Sequence, residues 1–211
     1  MTILNLSEIF ERELNYISND TLKEIVKDTL DEAPKCIATI PASSTGKYHP
    51  THSLGERGLV RHIKAVVGLC NEMFRSNIFR DMIANDDIDK SIAIGVYQDA
   101  AIAACVLHDC CKAKDEDPKH RTVFEHPILA AKLFKKNVVK HLNNENEQYL
   151  RIVTPLIYKA ISSHMGKWST AKYSSTVLPE PKSGFDTYVH LCDYIASRRY
   201  IDFNFEKYYE S

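Results

Sequence analysis

The sequence predicts an all-α fold, a single helical bundle with long ordered loops. Apolar residues recur at helical spacing in most segments of the chain. No segment of any length alternates between apolar and polar residues with the period of two that marks a half-buried strand. With 211 residues, 44% of them hydrophobic, the chain is long enough to bury one substantial core.

The first predicted helical region covers residues 3–33 and is interrupted near Ser18–Asp20. Thr21 and Glu24 have the spacing of a capping box, which predicts that the second part of this region begins there. Residues 34–57 then lose the helical period and gather proline, serine and glycine. This composition predicts a long ordered loop, and loops of this length are usually either functional or disordered.

Five further helices are predicted after this loop. Their predicted bounds are Leu59–Arg75, Ser91–Cys111, Pro127–Leu142, Glu147–His164 and Gly184–Tyr200. The second of these is apolar almost all round, so we expect it to be the central buried helix. Residues 166–183 contain two prolines and predict a second long loop.

The charge and the cysteine content restrict the class of protein. Lys and Arg number 27 against 28 Asp and Glu, a formal net charge of -1, so no global positive field exists to hold a long nucleic acid. No apolar run approaches the roughly 20 residues that span a bilayer, so no membrane association is expected. The six cysteines include no CxxC pair and there is no secretory signal, which predicts reduced thiols in a cytoplasmic protein.

A strongly polar pair, His108 and Asp109, ends the apolar central segment. Burying an ionised carboxylate is costly unless it is paired or binds a metal. A capping aspartate beside a core histidine would explain most such pairs, so the pair alone is weak evidence. Other residues on helix faces or ends that look core-directed favour a metal site over that explanation. They are His62, His126, His164 and Asp193.

The order of these six residues resembles the pattern of the HD-domain superfamily of metal-dependent phosphohydrolases. Longer stretches are similar to its 3′-5′ exoribonuclease branch, which acts on RNA 3′ ends. They are Pro41–Ser43, Lys47–His49, Gly58–His62, Ser162–Lys167, Val177–Pro179 and Leu191–Tyr194. The resemblance covers about residues 40 to 200. It implies an N-terminal helical appendage at residues 1–40 and an HD phosphohydrolase domain at residues 41–205.

The chain departs from the family's pattern at two positions. Cys111 stands where family members commonly carry glycine before the lysine of the HD segment, and Arg57–Gly58 stands where they commonly carry two glycines. Neither departure removes a ligand. The OB-type nucleic-acid-binding domain of the exoribonuclease branch has no room in this chain, so that branch's substrate does not transfer directly.

The resemblance implies that His62, His108, Asp109 and Asp193 bind one metal ion. It also implies that His126 and His164 join Asp109 around a second ion. Imidazole and carboxylate ligands suit a divalent transition metal, Mn, Fe, Co, Ni or Zn, with Mg as a further alternative. Two ions sharing Asp109 would activate a water molecule for hydrolysis of a phosphoester or phosphoanhydride. The expected partner is therefore a nucleotide or a short nucleic-acid end.

Two alternatives stay open at this point. A non-catalytic module that senses a nucleotide belongs to a different functional class, and a deoxynucleotide phosphohydrolase is the rival within enzymes. The complete set of six ligands favours an enzyme, because a non-catalytic descendant would tolerate the loss of ligands. The sequence does not predict the oligomeric state.

Lys112 is the second candidate catalytic residue besides Asp109. It is four residues after His108, so we expect both to share a helix face and Lys112 to bind a substrate phosphate. A solvated lysine near the negative end of the helix dipole is the alternative. Further candidates for substrate contact are His49 and His52 in the first loop, and Lys167 and Arg198.

Two more residues have competing interpretations. His190 precedes Asp193 by three residues, so it either supports a metal ligand or fills the core as a hydrogen-bonded histidine. Trp168, the only tryptophan, is expected to pack in the core, with stacking on a base as the alternative.

Overall fold

The computed structural model describes residues 5–43, 45–77, 79, 82 and 92–200. Within these ranges the chain is all-helical and contains no strand, as predicted. The helices are α1 (Leu6–Ile9), α2 (Glu11–Leu14), α3 (Asp20–Glu32), α4 (Gly58–Arg75), α5 (Ile94–Leu107), α6 (His126–His141), α7 (Glu147–Ser163) and α8 (Gly184–Ala196). The predictions for residues 3, 4, 91 and 201–205 lie outside the described residues.

Helix α5 is the central helix of the bundle. Every side chain from Ala100 to Leu107 is fully buried, and α4, α7 and α8 pack around it. Four of those eight residues are alanine, whose small side chains let the neighbouring helices approach closely. The prediction of a buried central helix is confirmed. Its predicted end at Cys111 is wrong, because the helix ends at Leu107 and residues 108–111 form turns.

The N-terminal helices pack into the same core as the rest of the described chain. Leu6, Phe10 and Leu22 are fully buried there. Asn19, and not Thr21, caps α3, since its side chain accepts a hydrogen bond of 2.9 Å from the amide of Leu22. The domain boundary near residue 40 stays a prediction.

A buried carboxylate ties this N-terminal region to the central helix. Asp99 of α5 accepts hydrogen bonds of 2.9 Å from the backbone amides of both Ser18 and Asn19. The two amides belong to the break between α2 and α3 that the sequence predicts. Asp99 therefore satisfies backbone donors that helix geometry leaves without a partner.

The loop between α3 and α4 is ordered largely by backbone hydrogen bonds. The amides of Arg57 and Leu59 donate to the carbonyls of Thr39 and Ile40, at 2.7 and 2.9 Å. Two short 3₁₀ helices, Lys35–Ala38 and Thr51–Ser53, lie within the loop. The guanidinium of Arg61 adds hydrogen bonds to the carbonyls of three loop residues. They are His52, Leu54 and Glu56.

Arg57 and Gly58, at the start of α4, have different backbone requirements. Arg57 adopts φ = 59°, in the left-handed region that glycine enters without steric cost. At Gly58 a larger residue would clash with the loop, because a Cβ there would lie 2.3 Å from the carbonyl oxygen of Ser53. An arginine thus occupies the strained backbone position, while glycine is kept where the loop touches the helix.

Other helix ends differ from prediction by a few residues. Helix α6 begins at His126, one residue before the predicted Pro127, and α8 ends at Ala196, before the predicted Tyr200. Among the described residues, no helix has both the length and the apolar character needed to cross a membrane. All six cysteines are free and buried, which agrees with the predicted thiols.

Candidate metal centre

Five structural elements bring the six predicted ligands to one place. The contributors are His62 within α4, His108 and Asp109 in the turn after α5, His126 at the start of α6, His164 directly after α7 and Asp193 within α8. Asp193 is partly exposed, whereas the other five are 1% exposed. The convergence expected from the sequence is therefore present in the structure. We call these six residues the candidate metal centre.

One half of the centre consists of His62, His108 and Asp193. The Nε2 atom of His62 lies 3.0 Å from Oδ1 of Asp193, and Nε2 of His108 lies 3.7 Å from the same oxygen. One ligand atom from each of the three residues lies within 4.8 Å of the other two. This half of the centre can hold a metal ion.

Asp109 lies between this half and two further imidazoles. Its Oδ2 is 3.5 Å from Nε2 of His108 and 3.9 Å from Nε2 of His62. Its Oδ1 is 2.9 Å from Nε2 of His126 and 3.6 Å from Nε2 of His164. Each carboxylate oxygen thus faces one pair of imidazole nitrogens, an arrangement in which a carboxylate can bridge two cations.

Backbone carbonyls orient three of the imidazoles. The Nδ1 atoms of His108, His126 and His164 each lie 2.7 Å from the carbonyl oxygen of the residue three positions earlier. An Nδ1–H that donates to a carbonyl leaves Nε2 as the unprotonated nitrogen of the neutral ring. Metal-binding histidines are commonly fixed in this way, and all three rings direct Nε2 toward Asp109.

Several buried polar atoms of the centre lack a hydrogen bond. They are Nδ1 of His62, Nε2 of His108 and Oδ1 of Asp109. The last of these lies 2.9 Å from Nε2 of His126 but accepts no hydrogen bond from it. An unsatisfied buried polar atom costs about 1 to 3 kcal/mol. A cation between the facing Nε2 and carboxylate atoms would satisfy Nε2 of His108 and Oδ1 of Asp109, so the residues present fit a metal.

Burial and neighbouring charges shift the pKa values of these histidines and of Asp109 in opposite directions. Burial lowers the pKa of His62 and His126 despite the carboxylates beside them. For His108 burial is again the largest influence, but Asp109 and Asp193 outweigh it and raise the pKa. Burial opposes ionisation of Asp109, yet Lys112 and His108 outweigh it and lower the pKa. Metal binding requires ionised carboxylates and neutral imidazoles, and the directions for Asp109, His62 and His126 agree with this, whereas that for His108 does not.

Lys112 contacts the centre directly. Its Nζ lies 2.6 Å from Oδ2 of Asp109. The predicted helix face shared with His108 is wrong, because α5 ends at Leu107 and Lys112 lies in the turns that follow. The alternative of a solvated lysine is wrong as well, since this ammonium group is paired with a buried carboxylate.

A cavity of about 250 Å³ opens onto the candidate metal centre, with Asp109 and Asp193 in its wall. His49 and Arg198, two of the predicted substrate contacts, line it as well. The His49 ring meets the His62 ring edge-on, with 5.6 Å between centroids. Burial lowers the pKa of His49 to about 4, so this imidazole is neutral at neutral pH.

The other two predicted substrate contacts are not among the residues that line this cavity. His52 lies in the 3₁₀ helix Thr51–Ser53, and its carbonyl accepts a hydrogen bond from Arg61. Lys167 is exposed, with Nζ 5.2 Å from the ring centroid of Trp168. Their contact with substrate stays a prediction.

Three aromatic residues face the cavity, and of these only Trp168 had stacking on a base as a predicted alternative. Tyr48, Trp168 and Tyr194 all line the cavity. The expectation that Trp168 packs in the core is wrong, since the residue is 42% exposed. Tyr48 is adjacent to His49, and Tyr194 is adjacent to Asp193. Adjacency to a candidate residue was the one signal in the sequence that pointed to them.

His190 contacts the candidate ligand His164, and its predicted role in supporting a metal ligand stays a prediction. Its Nδ1–H donates to the carbonyl oxygen of His164 at 2.6 Å. Gly166 makes this contact possible, because a Cβ there would lie 2.4 Å from Cε1 of His190. Gly166 also has φ = 57°, which turns the chain sharply after α7. The two residues together position His164.

Comparisons of this chain with protein-family models, with curated proteins and with solved structures find no match. The chemical character of the site therefore rests on its own geometry. That geometry is a buried cluster of histidine and aspartate side chains, able to hold a metal ion, at the end of an open cavity.

Proposed function

We propose that this protein is a metal-dependent phosphohydrolase of the HD type. Its substrate is a phosphoester or phosphoanhydride of a nucleotide or of a short oligonucleotide end. The observation that carries this proposal is the position of Asp109. A fully buried carboxylate faces an imidazole pair with each of its oxygens, and the cluster opens onto a cavity.

The donor set supports two divalent ions. His62, His108 and Asp193 surround one position together with Oδ2 of Asp109, and His126 and His164 surround the other with Oδ1. Imidazole nitrogens favour Mn, Fe, Co, Ni or Zn over Ca. When bound, such ions polarise a phosphoryl oxygen and lower the pKa of water.

The chain also supplies charge and orientation of its own. Lys112 and Arg198 place positive charge at the cavity that leads to the centre, which suits an anionic phosphate group. His190 and the backbone carbonyls hold the imidazoles in position before substrate arrives. Such fixed orientation lowers the reorganisation that the reaction requires.

The test is an assay of the metal-loaded protein against nucleotides, cyclic nucleotides and short oligonucleotides. Hydrolysis is expected to require a divalent metal, to be lost on exhaustive chelation and to return when Mn²⁺ or another transition metal is added. Ca²⁺ is expected to restore much less activity, because it prefers oxygen ligands. Activity that persists after exhaustive chelation would contradict the proposal.

A matched pair of variants distinguishes the loss of a histidine in the candidate metal centre from the loss of a histidine elsewhere in the chain. His62→Asn removes a ligand from the cluster. His141→Asn removes a histidine that also pairs with an aspartate, Asp28 at 2.8 Å, on the outer side of α3 and α6. Metal content measured by mass spectrometry is expected to fall only in His62→Asn. Nucleotide binding with full metal content but without turnover would instead indicate a sensing module.

A further inference from the structure

We infer that Trp168, Tyr194 and Arg198 form a base-binding wall beside the candidate metal centre, so that the substrate carries an unpaired nucleobase. This inference rests on the proposed function and names its substrate class more closely. The three residues are called the aromatic wall below. All three line the same cavity as Asp109 and Asp193.

The aromatic wall is a layered arrangement of two rings and a cation. The rings of Trp168 and Tyr194 stack with 5.7 Å between centroids and 21° between planes. The guanidinium carbon of Arg198 lies 4.1 Å from the centroid of Tyr194 and 5.8 Å from that of Trp168. A nucleobase has the same planar shape and stacks on such rings whatever its sequence identity.

Local contacts hold the wall in place before any ligand binds. Arg198 donates from Nε to the carbonyl of Tyr194 at 3.0 Å and from Nη2 to the hydroxyl of Ser197 at 2.8 Å. These two contacts use two of the five N–H groups of the guanidinium. Gly166 makes the sharp turn that precedes Trp168 in the chain. A ligand therefore meets a surface that is already ordered.

The exposure of Trp168 argues against a purely structural role. Tyr188 and Phe185, aromatic residues of the same helix as Tyr194, are fully buried, whereas Trp168 is 42% exposed at the cavity. Tyr48, on the loop before α4, lines the same cavity and is 57% exposed. Large exposed rings facing a cavity with catalytic chemistry are typical of ligand recognition.

The size and charge of the cavity select the ligand class. The cavity volume of about 250 Å³ lies just below the usual range of small-molecule pockets, about 300 to 1,000 Å³, so the cavity suits a small ligand or one terminal group of a longer one. Asp109 and Asp193 are the only acidic residues in its described lining, and both belong to the candidate metal centre. The cations beside that centre suit the phosphate of a nucleotide, and the aromatic rings suit its base. A base inside a duplex has both faces covered by its stacked neighbours, so a base that stacks on this wall belongs to a free nucleotide or to an unpaired strand end.

Intrinsic fluorescence provides a direct test, because Trp168 is the only tryptophan of the chain. The protein is titrated, with Ca²⁺ present to limit turnover, with adenosine 5′-monophosphate and separately with ribose 5-phosphate. The two probes share the sugar and the phosphate and differ in the base. Saturable quenching by adenosine 5′-monophosphate alone is expected. Equal responses to the two probes would overturn the inference.

Calorimetry on three variants provides the second test. Trp168→Leu is expected to raise the Kd for adenosine 5′-monophosphate at least about fivefold, as loss of one base stack predicts. Trp168→Phe, which keeps a ring, should restore most of the affinity. Tyr173→Leu is the matched control, since Tyr173 is an aromatic of the same loop that is 79% exposed and is not among the cavity's lining residues. Equal effects of Trp168→Leu and Tyr173→Leu would overturn the inference.

The two proposals fail in different ways. If metal-dependent hydrolysis occurs but the two probes bind alike, the phosphohydrolase stands and the base-binding wall is rejected. If adenosine 5′-monophosphate alone quenches Trp168 and no metal-dependent hydrolysis is found, the wall stands and the proposed reaction is rejected.

Discussion

At the scale of single residues, the two oxygens of Asp109 have different surroundings. Oδ2 is paired with Lys112 at 2.6 Å, while Oδ1 has an imidazole at 2.9 Å but no hydrogen bond. Buried charge of this kind is stable only because opposite charge surrounds it. A substitution at Asp109 is therefore expected to change both metal binding and charge balance, whereas one at Lys112 changes charge at the cavity.

Asp109→Ala is expected to lose both metal ions and all turnover, because each half of the centre depends on one of its oxygens. The metal-free variant should be less stable than metal-free wild type, since removing one partner of a buried ion pair leaves the ammonium group of Lys112 without its carboxylate. Metal analysis, kinetics and urea unfolding check these outcomes. Asp28→Ala, which removes the outer carboxylate paired with His141, is the control. Normal metal content and turnover in Asp109→Ala would end the phosphohydrolase proposal.

Lys112→Ala is expected to behave differently. If its ammonium group transfers from Asp109 to a substrate phosphate when metal is present, metal content stays near that of wild type. The specificity constant then falls by about 1.5 to 3 kcal/mol in transition-state terms, the range for a hydrogen bond to a charged group. Metal analysis and steady-state kinetics measure both quantities. A loss of metal equal to that in Asp109→Ala would assign Lys112 to metal binding instead.

At the scale of helices and loops, periodicity predicts which segments are helical but not where each helix ends. The end of α5 at Leu107 was missed because Cys110 and Cys111 continue the apolar character of the helix. The cap of α3 was misplaced because Asn19 and Thr21 are both good capping residues. Where a helix ends also depends on tertiary contacts. The break between α2 and α3, for example, is held by hydrogen bonds from the amides of Ser18 and Asn19 to Asp99.

The junction of the first loop with α4 gives a prediction in which neighbouring substitutions have opposite signs. Arg57→Gly is expected to leave stability unchanged or to raise it by up to about 1 kcal/mol. Glycine removes the steric cost of the left-handed backbone, but it also increases the conformational entropy of the unfolded chain. Gly58→Ala is expected to destabilise, because the new Cβ meets the carbonyl of Ser53. Urea denaturation of both variants checks the signs. Equal destabilisation by both would mean that this backbone geometry is not what determines stability here.

At the scale of the whole molecule, the candidate metal centre joins residues that are far apart in the chain. His62 and Asp193 approach to 3.0 Å although 131 positions separate them. The order of the ligands was predictable from the family resemblance, since each is a distinctive polar residue in an apolar segment. The aromatic wall was not, because an aromatic side chain satisfies a core and a cavity wall equally well and only packing decides between them.

Because five elements meet at the centre, a metal that binds only the folded chain should stabilise the whole bundle. At a free metal concentration a hundredfold above Kd, this linkage contributes about 2.7 kcal/mol. For a chain of this size that corresponds to a rise in Tm of about 5 to 11 °C. Thermal unfolding with Mn²⁺ or Zn²⁺, against the chelated protein, measures the shift.

The same shift should depend on pH and on the ligands in a defined direction. Metal binding requires unprotonated imidazoles, so protons compete with the metal and the rise in Tm should shrink between pH 7 and pH 5. His141→Asn should keep the full rise, whereas Asp109→Ala should lose it. An equal rise in wild type and Asp109→Ala would mean that the stabilising metal does not depend on the carboxylate that the two halves are proposed to share.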